Sequence, residues 1–474
     1  MAAIQMGRRT AHAAVAAVLP LVALLSGCAD YHPAPISPAA NASALQARRL
    51  DDPRLRAFLA STTPGDTKGT WGLLEVTLAA LYWQPDLDVA RASLAGAEAG
   101  TVTAGEVPNP SLSFEELSYN STVATPSPWT VAPVVNFLIE TFGKREHREE
   151  QARRLAAAAR SDVAEAAWQV RARVRGAMLA LWSAERHRTL DEQRLRLQNE
   201  LVDLLEHRFA AGQASALDVT RERTRRNQVT LELRDIDRQA AEARAQLAIA
   251  IGVPLSALNG ITLSFNAFDR PAPLSAAATD GEMRRQALEG RADVQSLLAR
   301  YQAAEAALQL EMARQYPNIT LSPGYAYDAG ANKYMLLPAA DLPIFNQNQG
   351  PIAEAEAHRT EAAAKFTALQ AHIIGAVDGA SASLLAADAA VATADALAAD
   401  ERQREAGIAR TFAAGATDRP TLVTAQLERL AAEISRLDTE VAERQSLAAL
   451  EDALQAPLFV AETAPPPNAV DLTR

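Results

Sequence analysis

The chain has 474 residues, with 46 Lys and Arg against 57 Asp and Glu and a formal net charge of −11. An acidic chain without a basic block is a poor partner for nucleic acid or for an anionic lipid surface. Its single cysteine, Cys28, rules out an intrachain disulfide. The seven histidines, His12, His32, His147, His187, His207, His358 and His372, include no i, i+4 pair and have no soft ligand nearby. Neither a metal site nor a cofactor site is therefore expected. No glycine-rich phosphate loop or nucleophile elbow is present, so the chain does not read as an enzyme. His187 and His207 are expected on solvated helix faces.

Residues 1–27 read as a signal peptide. Arg8 and Arg9 form a basic start, Ala11 to Leu25 an apolar stretch, and Ser26-Gly27 precede Cys28. That pattern makes Cys28 a lipid-attachment site; the competing reading is an ordinary secretory signal with a chance cysteine. Ala29 after the cysteine favours the outer membrane in a Gram-negative lipoprotein. Residues 28–70, rich in Pro, Ala and Ser, predict a lipid-anchored extended tether. No later run approaches eighteen strongly apolar residues, so no transmembrane helix is expected. If the chain crosses a membrane, it does so with strands.

Beyond the tether the sequence repeats itself. Residues 71–258 form a first unit, 259–281 a linker, 282–458 a second unit and 459–474 a tail. Phe345, Phe412 and Pro457 each lie 203 positions beyond Phe142, Phe209 and Pro254. Each unit opens with a helix, and Asp88-Val89 matches Asp293-Val294. That helix is expected about one turn shorter in the first unit, because Val89 stands closer to Pro108 than Val294 does to Pro317. A β-hairpin is predicted over 107–142 and another over 316–345. Long helices follow over 143–252 and 350–456.

Between Gly143 and Gly212 there is no proline, which allows a helix of roughly 100 Å at about 1.5 Å per residue. In the second unit Pro351 is placed at the first helical position. Val163, Ala167, Val170, Val174, Ala177 and Leu181 step by four and three, as do Val229, Leu233, Ile236, Ala240, Ala243 and Leu247. Leu427, Leu430, Ile434, Leu437 and Val441 do the same. Such stripes drive coiled-coil packing, although a plain helical bundle would also show them.

The strands argue against the bundle. Trp129, Val131, Pro133, Val135, Phe137 and Ile139 alternate with Thr130, Ala132, Asn136 and Glu140. Ile319, Leu321, Pro323, Tyr325 and Tyr327 alternate with Thr320, Ser322, Gly324 and Ala326. One apolar and one polar face is the pattern of a membrane barrel or of a half-buried soluble hairpin. Of the 11 Phe, 5 Trp and 8 Tyr, ten fall within 107–142 and 316–345, as an interfacial girdle requires. Asn136 and Glu140 are the lumen-facing candidates. The partner segments 111–120 and 333–343 alternate less cleanly. Two hairpins give four strands, which cannot close a barrel, and open edges are not tolerated in lipid. A dimer would supply eight strands and a trimer twelve, the latter with an open lumen.

The motifs Val107-Pro108-Asn109-Pro110, Tyr316-Pro317-Asn318, Phe142-Gly143-Lys144-Arg145 and Leu342-Pro343-Ile344-Phe345-Asn346-Gln347-Asn348-Gln349-Gly350 occur in order, behind Cys28 with Tyr31 and Pro33 close by. Taken jointly they resemble the outer membrane factors, the TolC-type efflux proteins, in their lipoprotein branch. The resemblance spans nearly all of the mature chain. It implies a mainly α fold with transmembrane β: a homotrimeric 12-stranded barrel continuing into a periplasmic α-helical barrel. It also implies docking with a periplasmic adaptor and an inner-membrane resistance-nodulation-division pump, and outward passage of heavy-metal cations or drugs without chemistry. In that family the turn at Phe-x-x-Gly is the periplasmic tip that meets the adaptor and narrows the tube. Here that implies Phe209, Gly212 and Asp218 in one tip, and Phe412, Gly415, Asp418, Arg419 and Thr421 in the other. The acid of the first tip is replaced by Thr421 in the second. Asp218 can also be read as a helix-capping acid. A periplasmic coiled-coil adaptor or scaffold lipoprotein without a channel is the competing function.

Overall fold

The computed structural model describes residues 31–62, 70–120, 122, 128–269, 279–328 and 330–458. The signal segment 1–27, Cys28 and the tail 459–474 lie outside the described residues. Residues 1–47 and 48–474 form separate units. In the first, helix α1 (Pro38–Gln46) starts with Pro38 at its first position, and the Ser37 hydroxyl accepts the Ala40 N–H at 3.3 Å.

The second unit begins with α2 (Pro53–Thr62), β1 (Thr70–Trp71), α3 (Leu73–Trp83) and α4 (Pro85–Gly105). The hairpin β2 (Ser111–Tyr119) and β3 (Trp129–Ile139) leads into α5 (Lys144–Ala210) and α6 (Ala216–Ile251). After β4 (Thr262–Leu263) and the short α7 (Asn266–Asp269), the pattern starts again. It runs through α8 (Asp280–Gly290), α9 (Ala292–Ala313), β5 (Ile319–Asp328), β6 (Ala331–Ala340), α10 (Gln349–Ala413) and α11 (Arg419–Leu454). Helix lengths repeat closely: 11, 21, 67 and 36 residues in the first copy, 11, 22, 65 and 36 in the second. Duplication thus holds element by element, including a short opening helix in each copy that the sequence pattern does not separate from the next.

The two hairpins join into one antiparallel sheet of order β2-β3-β5-β6. Its register sorts the side chains. Leu112, Phe114, Leu117 and Tyr119 oppose Val135, Pro133, Val131 and Trp129 on the apolar face. Ser111, Ser113, Glu116 and Ser118 oppose Asn136, Val134, Ala132 and Thr130 on the other. A β-bulge between Phe114 and Glu116 makes this possible, because the extra residue Glu115 resets a two-residue alternation that would otherwise slip. This bulge is why segment 111–120 alternates poorly as sequence. On the face shared by Asn136, the residues Ala132, Val134, Ser322 and Ala326 are buried. On the opposite face Trp129, Phe137, Ile139, Ile319 and Tyr325 are exposed.

Helix α5 packs on α4 and α9 and also on α6 and α11, while α10 packs on α9 and α11. Every member of the stripe Val163, Ala167, Val170, Val174, Ala177 and Leu181 is buried. One core gathers Val76, Leu78 and Leu81 of α3, Val170, Val174 and Met178 of α5, and Leu247 and Ile251 of α6. A second gathers Ala287 of α8, Ile373 and Val377 of α10, and Leu447, Leu450 and Leu454 of α11. Each copy therefore carries its own core.

Five expectations need correction. The extended tether over 28–70 does not hold: residues 38–46 and 53–62 are helical, and Leu50, Leu55 and Leu59 are buried in the first core. Burial of those leucines outweighs the Pro- and Ala-rich composition. The linker 259–281 is docked rather than free: its β4 pairs in parallel with β1 and Phe268 is buried, because apolar side chains at Ile261, Leu263 and Phe265 give it a face to dock. The opening helix differs by one residue rather than a turn, since α4 starts earlier relative to its Asp-Val pair than α9 does. Pro351 is third in α10 rather than first, behind an Asn348 cap at φ 63°; its missing N–H is still one of the four that have no helical partner. Finally, α10 does contain an 18-residue window long and apolar enough to cross a membrane. Alanine, rather than large apolar side chains, produces it, and only 17% of that window is buried.

The most buried charges join the two copies. Glu451 of α11 is fully buried and pairs with Arg171 of α5 at 3.3 Å and with Arg175. It also accepts the Leu458 N–H at 2.9 Å. Replacing Glu451 with Ala leaves two buried guanidinium groups without this carboxylate. We expect a loss of about 3–5 kcal/mol, read by chemical denaturation, and a smaller loss for Glu451→Gln.

Candidate functional site

The two helical turns are built alike and capped differently. In the first, Gly212 stands at φ 71° and the Gln213 N–H reaches back to the Arg208 carbonyl at 2.7 Å. In the second, Gly415 stands at φ 73° and the Ala416 N–H bonds the Thr411 carbonyl at 2.9 Å. A left-handed residue ends each long helix and turns the chain into the next, which suits glycine.

Helix α6 then opens with a capping box. The Asp218 carboxylate accepts the Ser215 hydroxyl at 2.6 Å and the Ser215 N–H at 3.3 Å, and the Ser215 hydroxyl accepts the Asp218 N–H at 3.1 Å. In α11 the roles are exchanged. Asp418 is the cap and accepts the Thr421 N–H at 3.0 Å and the Thr421 hydroxyl at 2.6 Å. Ser215 and Asp218 lie 203 positions before Asp418 and Thr421, so the acid and the hydroxyl have traded places. The acid apparently lost at Thr421 is retained three residues earlier.

The second turn is also held to the first copy. Arg208 of α5 donates to Asp418 at 2.9 Å, and Arg419 donates to Glu200 at 2.5 Å. The Arg419 guanidinium lies 5.9 Å from the centre of the Phe412 ring, which is half-buried. Phe209 and Leu217 of the first turn are exposed. Bonds from Thr421, together with the Arg208 charge, hold the Asp418 carboxyl down at about 2. Asp218 is also lowered, by its bonds to Ser215. Glu200 beside Arg419 raises the guanidinium further.

Of the two strand candidates, Asn136 lies within β3 on its polar face. Asn136 donates to the Ser113 hydroxyl at 2.9 Å and accepts the Ser322 hydroxyl at 2.7 Å, forming a polar rung across β2, β3 and β5. On the same face Asp328 accepts Thr130 at 3.3 Å and Lys333 at 2.8 Å. Glu140, one residue past β3, takes a bidentate bond from Arg148 at 2.8 and 3.1 Å. Arg148 also ties down the end of α4 by donating to the Ala104 carbonyl at 2.7 Å.

Two residues go beyond the sequence reading. Lys144, named there only within a motif, is buried and donates to the Tyr316 carbonyl at 2.6 Å and to Asn318 at 2.5 Å. His187, expected on a solvated face, instead bridges helices: it contacts the Ser183 carbonyl at 2.8 Å and Asp438 of α11 at 2.8 Å. The unpaired i, i+4 spacing gave no sign of this cross-helix partner. Among the described residues, no group of three or more His, Cys, Asp or Glu is placed to hold a metal ion.

A sheet with one polar and one apolar face, continuing into paired long helices that end in capped turns, is the fold of the TolC-type outer membrane channels. Residues 79–253 match the sequence model described as outer membrane efflux protein. Over that segment the resemblance carried by the motifs is borne out. The chain is 27% identical over 270 residues, 56% of its length, to the cobalt-zinc-cadmium resistance protein CzcC of Cupriavidus metallidurans. It is 32% identical over 165 residues, 33% of its length, to the pyoverdine export outer membrane protein OpmQ of Pseudomonas aeruginosa. These alignments span 61% of CzcC and 34% of OpmQ. In fold the chain is similar to the outer-membrane channel OprN, at TM-score 0.67 and 19% identity, over 91% of this chain and 99% of that one.

Gly212→Ala and Gly415→Ala should each cost about 1 kcal/mol, since nothing crowds a Cβ there and only the left-handed backbone resists it. Thermal denaturation would show this, with Gly176→Ala, inside α5, as the control that lowers nothing. Asp418 makes a pH-dependent prediction. Its folded-state pKa lies below its ordinary value, so its contribution is present above about pH 4 and lost as pH falls towards 2. The stability gap between the native chain and Asp418→Asn should be open at pH 6 and closed at pH 2.

Proposed function

We propose that this chain is the outer membrane exit channel of a tripartite efflux system. The observation that carries the reading is the polar face of a four-stranded sheet whose outer strands, β2 and β6, have no further partner among the described residues. Lipid does not tolerate open edges, so three chains supply twelve strands and close a homotrimeric barrel around the face of Asn136 and Glu140. The long helices then continue as a periplasmic tube. Solute moves along it passively, from an inner-membrane resistance-nodulation-division pump through a periplasmic adaptor, and no chemistry is done on it. Cys28 carries the lipid that anchors each chain in the outer membrane.

The turns are the adaptor-facing end. Exposed Phe209 and Leu217 offer an apolar contact there. The Arg208–Asp418 and Arg419–Glu200 pairs hold the second turn against α5 and act as the closed gate. Cargo is a heavy-metal cation or an organic solute. Similarity to a cobalt-zinc-cadmium resistance protein favours the first, and similarity to a pyoverdine export protein keeps the second in play.

Detergent-extracted protein should conduct ions in planar bilayers, whereas a monodisperse monomer that needs no detergent would sink the channel reading. Arg419→Glu should raise the closed-state conductance several-fold. Unchanged conductance would make the turn contacts purely structural. Cys28→Ser should abolish labelling by a fatty-acid probe; retained labelling would remove Cys28 as the anchor.

A further inference from the structure

The passage from β3 into α5 is docked within the chain. Phe142 stacks on Tyr316 with ring centres 3.9 Å apart and planes 16° apart. Thr141 donates to the Pro317 carbonyl at 2.6 Å, and Lys144 to Tyr316 and Asn318. The start of one long helix thus sits on the segment that enters the next hairpin around the sheet.

Its counterpart in the second copy is bare. Phe345 is 97% exposed, Leu342 74% and Ile344 68%, and the passage has no equivalent segment of the same chain to rest on. The segment equivalent to Tyr316-Pro317-Asn318 is Val107-Pro108-Asn109, at the opposite edge of the sheet, where Val107 is 62% exposed. Half a junction therefore stands at each edge. By the internal repeat, the two halves are complementary.

Resting on the trimeric channel reading, we propose that the passage Leu342–Gln347 docks on Val107–Asn109 of a second copy of this chain, as Phe142–Lys144 docks on Tyr316–Asn318 within one. This junction differs from the internal one. Ile344 stands where Thr141 donates, and Gln347 where Lys144 places its cation, while Val107 replaces the stacked Tyr316. The contact between copies is uncharged and richer in aliphatic side chains. The contact within a chain is cationic and hydrogen-bonded.

Paired cysteines test this in the full-length lipidated protein, whose one native cysteine is Cys28. Val107→Cys with Phe345→Cys, treated with a short thiol cross-linker, should give covalent dimers and trimers on denaturing gels. Phe142→Cys with Tyr316→Cys should link only within a chain and keep the monomer mass. Pro108→Cys with Ile344→Cys provides a second exposed pair should the first impair folding. A trimer by native mass with no covalent multimers from either test pair would overturn the junction and leave the channel reading standing. A monomer by native mass would overturn both.

Discussion

Everything in this fold answers to one constraint: a four-stranded sheet cannot satisfy its own edges. Strands β3 and β5 have a neighbour on each side, but β2 and β6 carry a row of donors and acceptors that only water or another strand can meet. Water is absent from a bilayer core, so in the proposed channel the chain is a fragment of a closed object rather than a finished one. The two-sided sheet follows from the same constraint. Its polar side chains pair with one another around Asn136, and its aromatics face outwards, where Tyr119 and Trp129 meet edge-to-face at 5.0 Å.

Helices relay the sheet's order over a distance no hairpin could reach. Helix α5 spans 67 residues, close to 100 Å, and is held by different neighbours along its course. Each copy has its own apolar core, the first also taking in Leu437 of α11, and charged pairs link the copies as well: Arg171 and Arg175 on Glu451, His187 on Asp438, and Arg208 on Asp418. Packing keeps each helical pair intact.

Much of this architecture was legible in the sequence because duplication shows the same signal twice. The 203-residue offset located both hairpins and both turns, and proline-free runs gave the long helices. Signals resting on tertiary context were hidden. The Glu115 bulge disguised an alternation that register restores, and the apolar residues Leu50, Leu55 and Leu59 looked like part of a tether until a core claimed them. At the candidate site, Asp218 was readable as a capping acid, and the capping box places it there. The exchange at Asp418 and Thr421 was not, because a one-position alignment compares residues and not the hydrogen-bonded pair they form. Lys144 and His187 depend on partners 174 and 251 positions away, which no local pattern reports.

The exchanged caps set a symmetry. With Ser215 and Asp218 in one turn and Asp418 and Thr421 in the other, the carboxylate occupies the third helical position in one and the position before the helix in the other. The two acids also differ in what they meet: Asp218 is bonded to its own cap serine, and Asp418 to Thr421 and to Arg208 of the other copy. A ring of three chains would therefore alternate two kinds of acid around the rim, with three-fold rather than six-fold periodicity. A partner reading that rim meets a pattern with two kinds of tooth, and the register in which it can seat is fixed accordingly.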